Sequence, residues 1–368
     1  DENEKLKIQN EYNQSSNQLT AEDWFQKGFQ TVFHAGKGHN TTENEDYEKA
    51  IIYYQKAIEL DPYAAAAYYN MGLPYFRKHN YDKAIECYQK AIEINPEYVE
   101  AYYYLGYSYS EFGNYDKEIE CYQKVIEINP DDAKAYSDMG MVYNRQGNYD
   151  KAIECFQKVI EINPDNADAY YNLGLAYSSK GNDDKAIECF QKAIEINANK
   201  GNYLRVIRCY QKVIEINPDY DKAYDIMGFV YSNEGYYDEA IECFQKVIEN
   251  NPDDAIVHYD MGMAYFCKDD YDKAIECYQK AIEINPEYLE AYDHMGLLYG
   301  LKGNYDKRIE CLQKVIEINP DNAEAFYDLG LAYSFKGNDD KVIECFQKAA
   351  KLGFKKAQDY LKKESISW

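Results

Sequence analysis

The chain has 368 residues, and 65 acidic against 40 basic side chains leave it a formal charge of −25. A field of that sign repels phosphate backbones and anionic head groups, which excludes nucleic acid and membrane surfaces as expected partners. Hydrophobic residues at 46% suit an ordered chain, tyrosine is abundant at 42, and 9 prolines with 20 glycines predict short loops.

Taken in chain order, the opening DENEKLKIQNEYNQSSNQ is polar throughout, which predicts a solvated extension over 1–20 and no secretory leader. The longest uncharged run, Pro62 to Phe76, has 15 residues and includes Asn70, Gly72 and Pro74. A spanning helix needs roughly 20 apolar residues, so no membrane insertion is expected. From there a period dominates. Pro62, Pro96, Pro130 and Pro164 stand 34 residues apart, and Pro218, Pro252, Pro286 and Pro320 repeat the step. Nine of the ten cysteines keep the same register within each half, from Cys87 to Cys189 and from Cys209 to Cys345.

Each period reads as two helices. Tyr68, Met71, Gly72 and Tyr75 mark one apolar stripe at i, i+3, i+4 and i+7, and Ala84, Ile85, Tyr88, Ala91 and Ile92 mark the next. Between them stands a turn, His79-Asn80 here and Gly113-Asn114 or Gly147-Asn148 later. Glycine suits the left-handed end of a helix and Asn caps the one that follows. Asn95-Pro96 ends the second helix, since the residue before proline avoids helical angles. Glu86/Lys90, Glu120/Lys124 and Glu154/Lys158 are spaced to pair at i, i+4 on the outer face. Gly72, Gly106, Gly140, Gly174, Gly228, Gly262, Gly296 and Gly330 fall inside first helices, where each costs about 1 kcal/mol against Ala. That loss makes sense where a neighbouring helix presses close. One such pair cannot bury its own apolar face, so the pairs must stack.

The succession of aromatic, Leu/Met-Gly, Tyr, Ala, aromatic, Ala/Val and Pro resembles the tetratricopeptide repeat (TPR), over roughly Ala21 to Lys356. Trp24 and Gly28 open a copy in that family's preferred form; Glu118, Arg308 and Val342 depart from its Ala, and His258 from its aromatic. The resemblance implies an all-α fold, a right-handed α-solenoid of stacked antiparallel helix pairs, with nine full repeats and a half repeat. The expected organisation is a first arm over 21–200, a half repeat and phase break at 201–220, a second arm over 221–356, and a capping helix and tail over 357–368.

Three irregularities interrupt the array. Around His34 to Asp46 about ten residues are inserted, HAGKGHNTTENED, read as a surface loop rather than a metal site at His34 and His39. Cys189 to Cys209 spans 20 residues and Ala198 replaces the expected proline, so a second helix lacks its first and a kink or phase break is expected near 198–204. Pro74 lies inside a first helix and should bend or strain it.

No catalytic constellation is present. The cysteines recur one per period beside an aromatic, not in CxxC pairs, which rejects zinc and favours packing. Cys267 stands apart. No phosphate loop, dinucleotide, metalloprotease or hydrolase motif occurs, and the carboxylates follow the repeat as solvated faces. The reading is a non-enzymatic binding protein without cofactor or metal. What the resemblance adds is a concave groove lined by first helices, which places Tyr69, Leu73, Arg77, Tyr103, Tyr107, Tyr171, Asp225, Phe229, Tyr259, Met263, Asp293, Leu297 and Tyr327 toward a partner peptide or helix. The family's carboxylate clamp for chaperone tails is absent: Tyr69/Leu73 and Tyr103/Tyr107 hold its Lys/Asn positions, and Asp138 replaces the Arg that should accompany Lys134. With Asp225, Asp260, Asp293, Asp328, Glu290 and Glu324 nearby, the second arm should prefer a neutral or basic segment. The expected function is a cytoplasmic protein–protein interaction scaffold. The alternative is a permanent structural subunit of a large assembly such as a ciliary, axonemal or cytoskeletal complex.

Overall fold

The computed structural model describes residues 19–35 and 43–368. Residues 1–18 and 36–42, with His39, and the side chain of His34 lie outside the described residues. Twenty helices occur among the described residues. The helix pairs are α1 (Ala21–Ala35) with α2 (Glu43–Leu60), α3 (Ala65–Arg77) with α4 (Tyr81–Ile94), α5 (Val99–Glu111) with α6 (Tyr115–Ile128), α7 (Ala133–Arg145) with α8 (Tyr149–Ile162), and α9 (Ala167–Ser179) with α10 (Asp183–Asn199). After the single α11 (Tyr203–Ile216) come α12 (Asp221–Asn233) with α13 (Tyr237–Asn250), α14 (Ala255–Cys267) with α15 (Tyr271–Ile284), α16 (Leu289–Leu301) with α17 (Tyr305–Ile318), and α18 (Ala323–Phe335) with α19 (Asp339–Lys351), closed by α20 (Lys355–Lys363). The fold is all-α, built of stacked antiparallel pairs. Among the described residues no helix is long and apolar enough to cross a membrane.

The chain divides into two compact units, 1–196 and 197–368. In each, the second helix of a pair touches its mate and the first helix of the following pair. The contact is set by an aromatic wedge. Tyr88, Tyr122, Phe156 and Phe190 in the first unit, and Phe244, Tyr278 and Phe346 in the second, are almost wholly buried. Each rests against the glycine of its pair mate: a Cβ on Gly72 would stand 2.3 Å from Tyr88, and one on Gly174 2.7 Å from Phe190. The ring therefore occupies the volume any larger residue would need. Ala84, Ala152, Ala186, Ala240 and Ala274 are fully buried and let the helices approach.

The turns follow local chemistry. At Gly113, φ is +65°, and the Asn114 amide donates back to the Tyr109 carbonyl at 3.0 Å. Asn114 then caps α6 by accepting from the Lys117 amide. His79 and Asp269 take the same left-handed angle without being glycine (φ 56° and 58°). Between pairs, the Asn95 side-chain oxygen Oδ1 accepts from the Glu97 backbone amide at 3.1 Å and so forms the Asx turn into the next helix.

At the irregular junction the turn is of the kind found within a pair. Gly201 has φ +70°, and the Asn202 amide donates to the Asn197 carbonyl at 2.9 Å, as Asn114 does to Tyr109. With Ala198 in place of proline, α10 is free to run to Asn199, three residues past the usual stop. Pro74 does not end α3, which continues to Arg77 with the proline buried.

One expected pairing is corrected. Lys90, Lys124 and Lys158 bond Glu93, Glu127 and Glu161 at i, i+3 rather than Glu86, Glu120 and Glu154. Swinging toward the last turn carries the ammonium to the negative end of the helix dipole, which favours cations there.

Candidate partner-binding surface

In the first unit the first-helix tyrosines pack into an aromatic run. Tyr69 meets Tyr88, Tyr98 and Tyr104 with ring centroids 5.9, 5.0 and 5.8 Å apart. Tyr69 and Leu73 are half-buried and Arg77 is exposed. Tyr103 and Tyr171, expected on the same surface, are more covered. They are only 7% and 8% exposed, because Tyr103 leans on Tyr122 and Tyr171 on Phe190, the wedge rings of their own pairs. Tyr103 also donates to Asp132 at 2.6 Å and is covered by the Lys134 ammonium 3.8 Å above its ring.

Beside them a cavity of about 430 Å³ opens between α5, α7 and α9. Tyr107, expected on the groove, lines it and donates to Asp138 at 3.0 Å. Its floor holds a group that sequence reasoning placed only as a departure from Ala. Glu118 sits in the slot that Ala84 and Ala152 fill elsewhere, and its side chain is 3% exposed. Arg145 reaches back from the end of α7 to Glu118 Oε1 at 2.8 Å and to Ser110 Oγ at 3.1 Å, and the Tyr122 hydroxyl donates to the same carboxylate oxygen at 3.4 Å. Burial pushes the Glu118 carboxyl up, against the opposing pull of Arg145, Ser110 and Tyr122. Burial likewise raises Asp138, against the Tyr107 hydroxyl and Lys134.

In the second unit the corresponding rows carry carboxylates. Burial and the negative charges of Asp225 and Asp254 push Asp260 up to about 6. Asp225 is raised by burial and by Asp254. Asp293 is exposed as a whole residue and Asp328 half-buried; partial desolvation of the carboxyl raises both, while Arg308 opposes it in each case. Arg308 occupies the alanine slot that Glu118 fills in the first unit, and its guanidinium lies 3.6 Å from Asp328. Phe229 and Leu297 are 59% and 43% exposed among these acids. Met263 and Tyr259 are half-buried; Tyr259 packs on Tyr278 and Tyr288 and bonds His294 Nδ1 at 3.2 Å. Tyr327 stacks on Phe346 at 4.9 Å and touches Phe354 at 5.0 Å. The cysteine ladder is buried packing: Cys87, Cys121, Cys155 and Cys277 are pushed up to about 12 by desolvation, which keeps them protonated. Cys267 is exposed.

Family models agree with this architecture. A family model described as TPR repeat matches residues 38–79, 74–113, 140–181, 231–269 and 301–337. Others described as tetratricopeptide repeat match 99–132, 167–200 and 255–288, 121–154, and 323–352. The chain belongs to the tetratricopeptide repeat family, whose fold is an interaction scaffold for other proteins. No curated protein matches it. Among solved structures, a crystal structure of MamA is 31% identical over 50% of this chain and 94% of that one, with a TM-score of 0.44. YrrB, described as a TPR protein with an unusual peptide-binding site, is 29% identical over 52% and 92%, with a TM-score of 0.39. Yeast Tom70 is 16% identical over 92% and 95%, with a TM-score of 0.39.

Proposed function

We propose that the protein is a non-catalytic scaffold whose first helices receive a neutral or basic segment of a partner, extended or helical. The observation that supports this reading is the second unit's first-helix surface, where half-buried Asp225 and Asp260 lie close enough to interact and Phe229, one turn after Asp225, is exposed. Carboxylates held partly out of water gain most from a cation brought to them, and the exposed apolar side chains supply contact area. Acidic competitors meet like charge and are rejected.

An array of random peptides graded by net charge, probed with the full chain, tests the reading. Retention should rise with positive charge and fall with added salt, and the double variant Asp225→Asn/Asp260→Asn should weaken capture of the basic peptides about tenfold. Equal retention of acidic and basic peptides, or retention unchanged in that variant, would sink it.

A further inference from the structure

The cavity in the first unit contains polar atoms that its own surroundings leave unanswered. Glu118 Oε2 and Asn144 Oδ1 are buried and have no hydrogen-bond partner. Both residues line the cavity, alongside Asp138. Arg145 and Tyr122 engage only Oε1 of Glu118. The Ser110 hydroxyl helps hold charge on the carboxyl, but no donor meets Oε2 in hydrogen-bonding geometry. A buried acceptor without a donor costs about 1–3 kcal/mol, more when charged, so a ligand that donates there would stabilise this arrangement.

The charge balance says which kind of donor. Of the charged side chains that line the cavity, two are carboxyls, Glu118 and Asp138, and one is a cation, Arg145, which leaves one carboxyl without a cation of its own. A single cation restores neutrality. The walls select its shape. Tyr107, Tyr122, Met141 and Phe156 line the same space and offer apolar surface for an alkyl stem and ring faces for a cation. An arginine fork prefers the free edge of one carboxylate, and the edge of Glu118 is already held at Oε1 by Arg145. An ammonium has three separately directed donors, which suits acceptors supplied by three different side chains.

We infer that this cavity is the receptor for one lysine side chain of the partner, its ammonium donating to Glu118 Oε2 and Asn144 Oδ1 beside Asp138. The inference deepens the proposed function, since it names one residue of the bound segment and a position in the first unit that reads it.

The test uses the full chain labelled at its methionine methyls, because Met141 lines the cavity and is 41% exposed. The probe is Nα-acetyl-lysine methylamide. It should shift the Met141 resonance saturably, while Nα-acetyl-norleucine methylamide and the Nε-acetylated probe should not. Glu118→Gln and, separately, Asn144→Leu should weaken that binding about tenfold, the loss expected for a hydrogen bond to a charged group. Either variant serves once circular dichroism shows it folded. An equal response to norleucine, tighter binding of the arginine analogue, or binding unchanged in both variants overturns the inference. Saturable lysine binding with no charge preference on the peptide array would sink the wider groove reading alone. Charge-selective peptide capture with a silent Met141 would sink the lysine receptor alone.

Discussion

At the scale of single residues, the glycine of each first helix is a packing position whose meaning depends on what faces it. A Cβ at Gly72 would meet Tyr88 at 2.3 Å, and Tyr88 is fully buried and has nowhere to go. Overpacking of that kind costs about 1–3 kcal/mol, against about 1 kcal/mol of helix propensity gained, so Gly72→Ala should lower the urea midpoint. Gly296 faces Leu312 in place of an aromatic, and its nearest obstacle is Cys311 Cβ at 3.1 Å. Gly296→Ala should therefore be neutral or stabilising in the same melt. A second residue-scale expectation concerns Asp260. Its carboxyl, raised from 3.8 to about 6, binds its proton more tightly in the folded chain than in the unfolded one. Stability consequently falls as pH rises from about 4 to 6, and the full penalty is present above that window. Asp260→Asn should raise Tm at pH 7 and confer no advantage at pH 4. A melt that gains equally at both values would disprove the assignment.

At the scale of helices, two sites break the repeat's own rules without changing its path. Pro74 occupies the position that Ala176, Ala264 and Ala332 hold fully buried elsewhere, and α3 runs through it. Pro74→Ala restores a backbone donor in a slot already shaped for alanine, and should stabilise the first unit by about 1–3 kcal/mol in urea denaturation. Tyr236 precedes α13 with φ −87° and ψ 67°, close to the −86° and 73° of Asn114, yet it makes no side-chain cap. Tyr236→Asn should add about 0.5–1 kcal/mol, with amide exchange slowed in the first turn of α13. Both departures are visible in the sequence; that the backbone absorbs them is not, because the neighbouring helices hold the angles that the residue alone would avoid.

At the scale of the molecule, stacked pairs share their core with neighbours and leave an apolar face at each end. In the second unit that face is closed by α20, whose Ala357 and Leu361 are fully buried against the cluster containing Phe346, Ala349 and Ala350. Truncation after Gly353 should expose those residues. Amide exchange in α18 and α19 should then rise well above that in α14 and α15, because loss of a neighbour destabilises the adjacent pair most. Uniform exchange across the second unit would show that it melts as one block.

The amino-acid sequence by itself determined the helix pairs, their turns and their stacking, because a 34-residue pattern repeats its apolar stripes, Gly-Asn turns and Asn-Pro stops often enough that no single deviation hides it. It also marked Glu118 as foreign to its slot. Tertiary structure alone decided which of two equivalent tyrosines is covered. Tyr69 and Tyr103 share a repeat position and each leans on the wedge ring of its own pair, yet only Tyr103 is also covered by Lys134 and bonded to Asp132, groups brought by the next pair. It also decided that Arg145, 27 residues away, answers one oxygen of Glu118 and leaves the other bare. Periodicity reports which face of a helix is apolar; the partner of a buried charge depends on where a distant side chain ends, and that is fixed only when the helices pack.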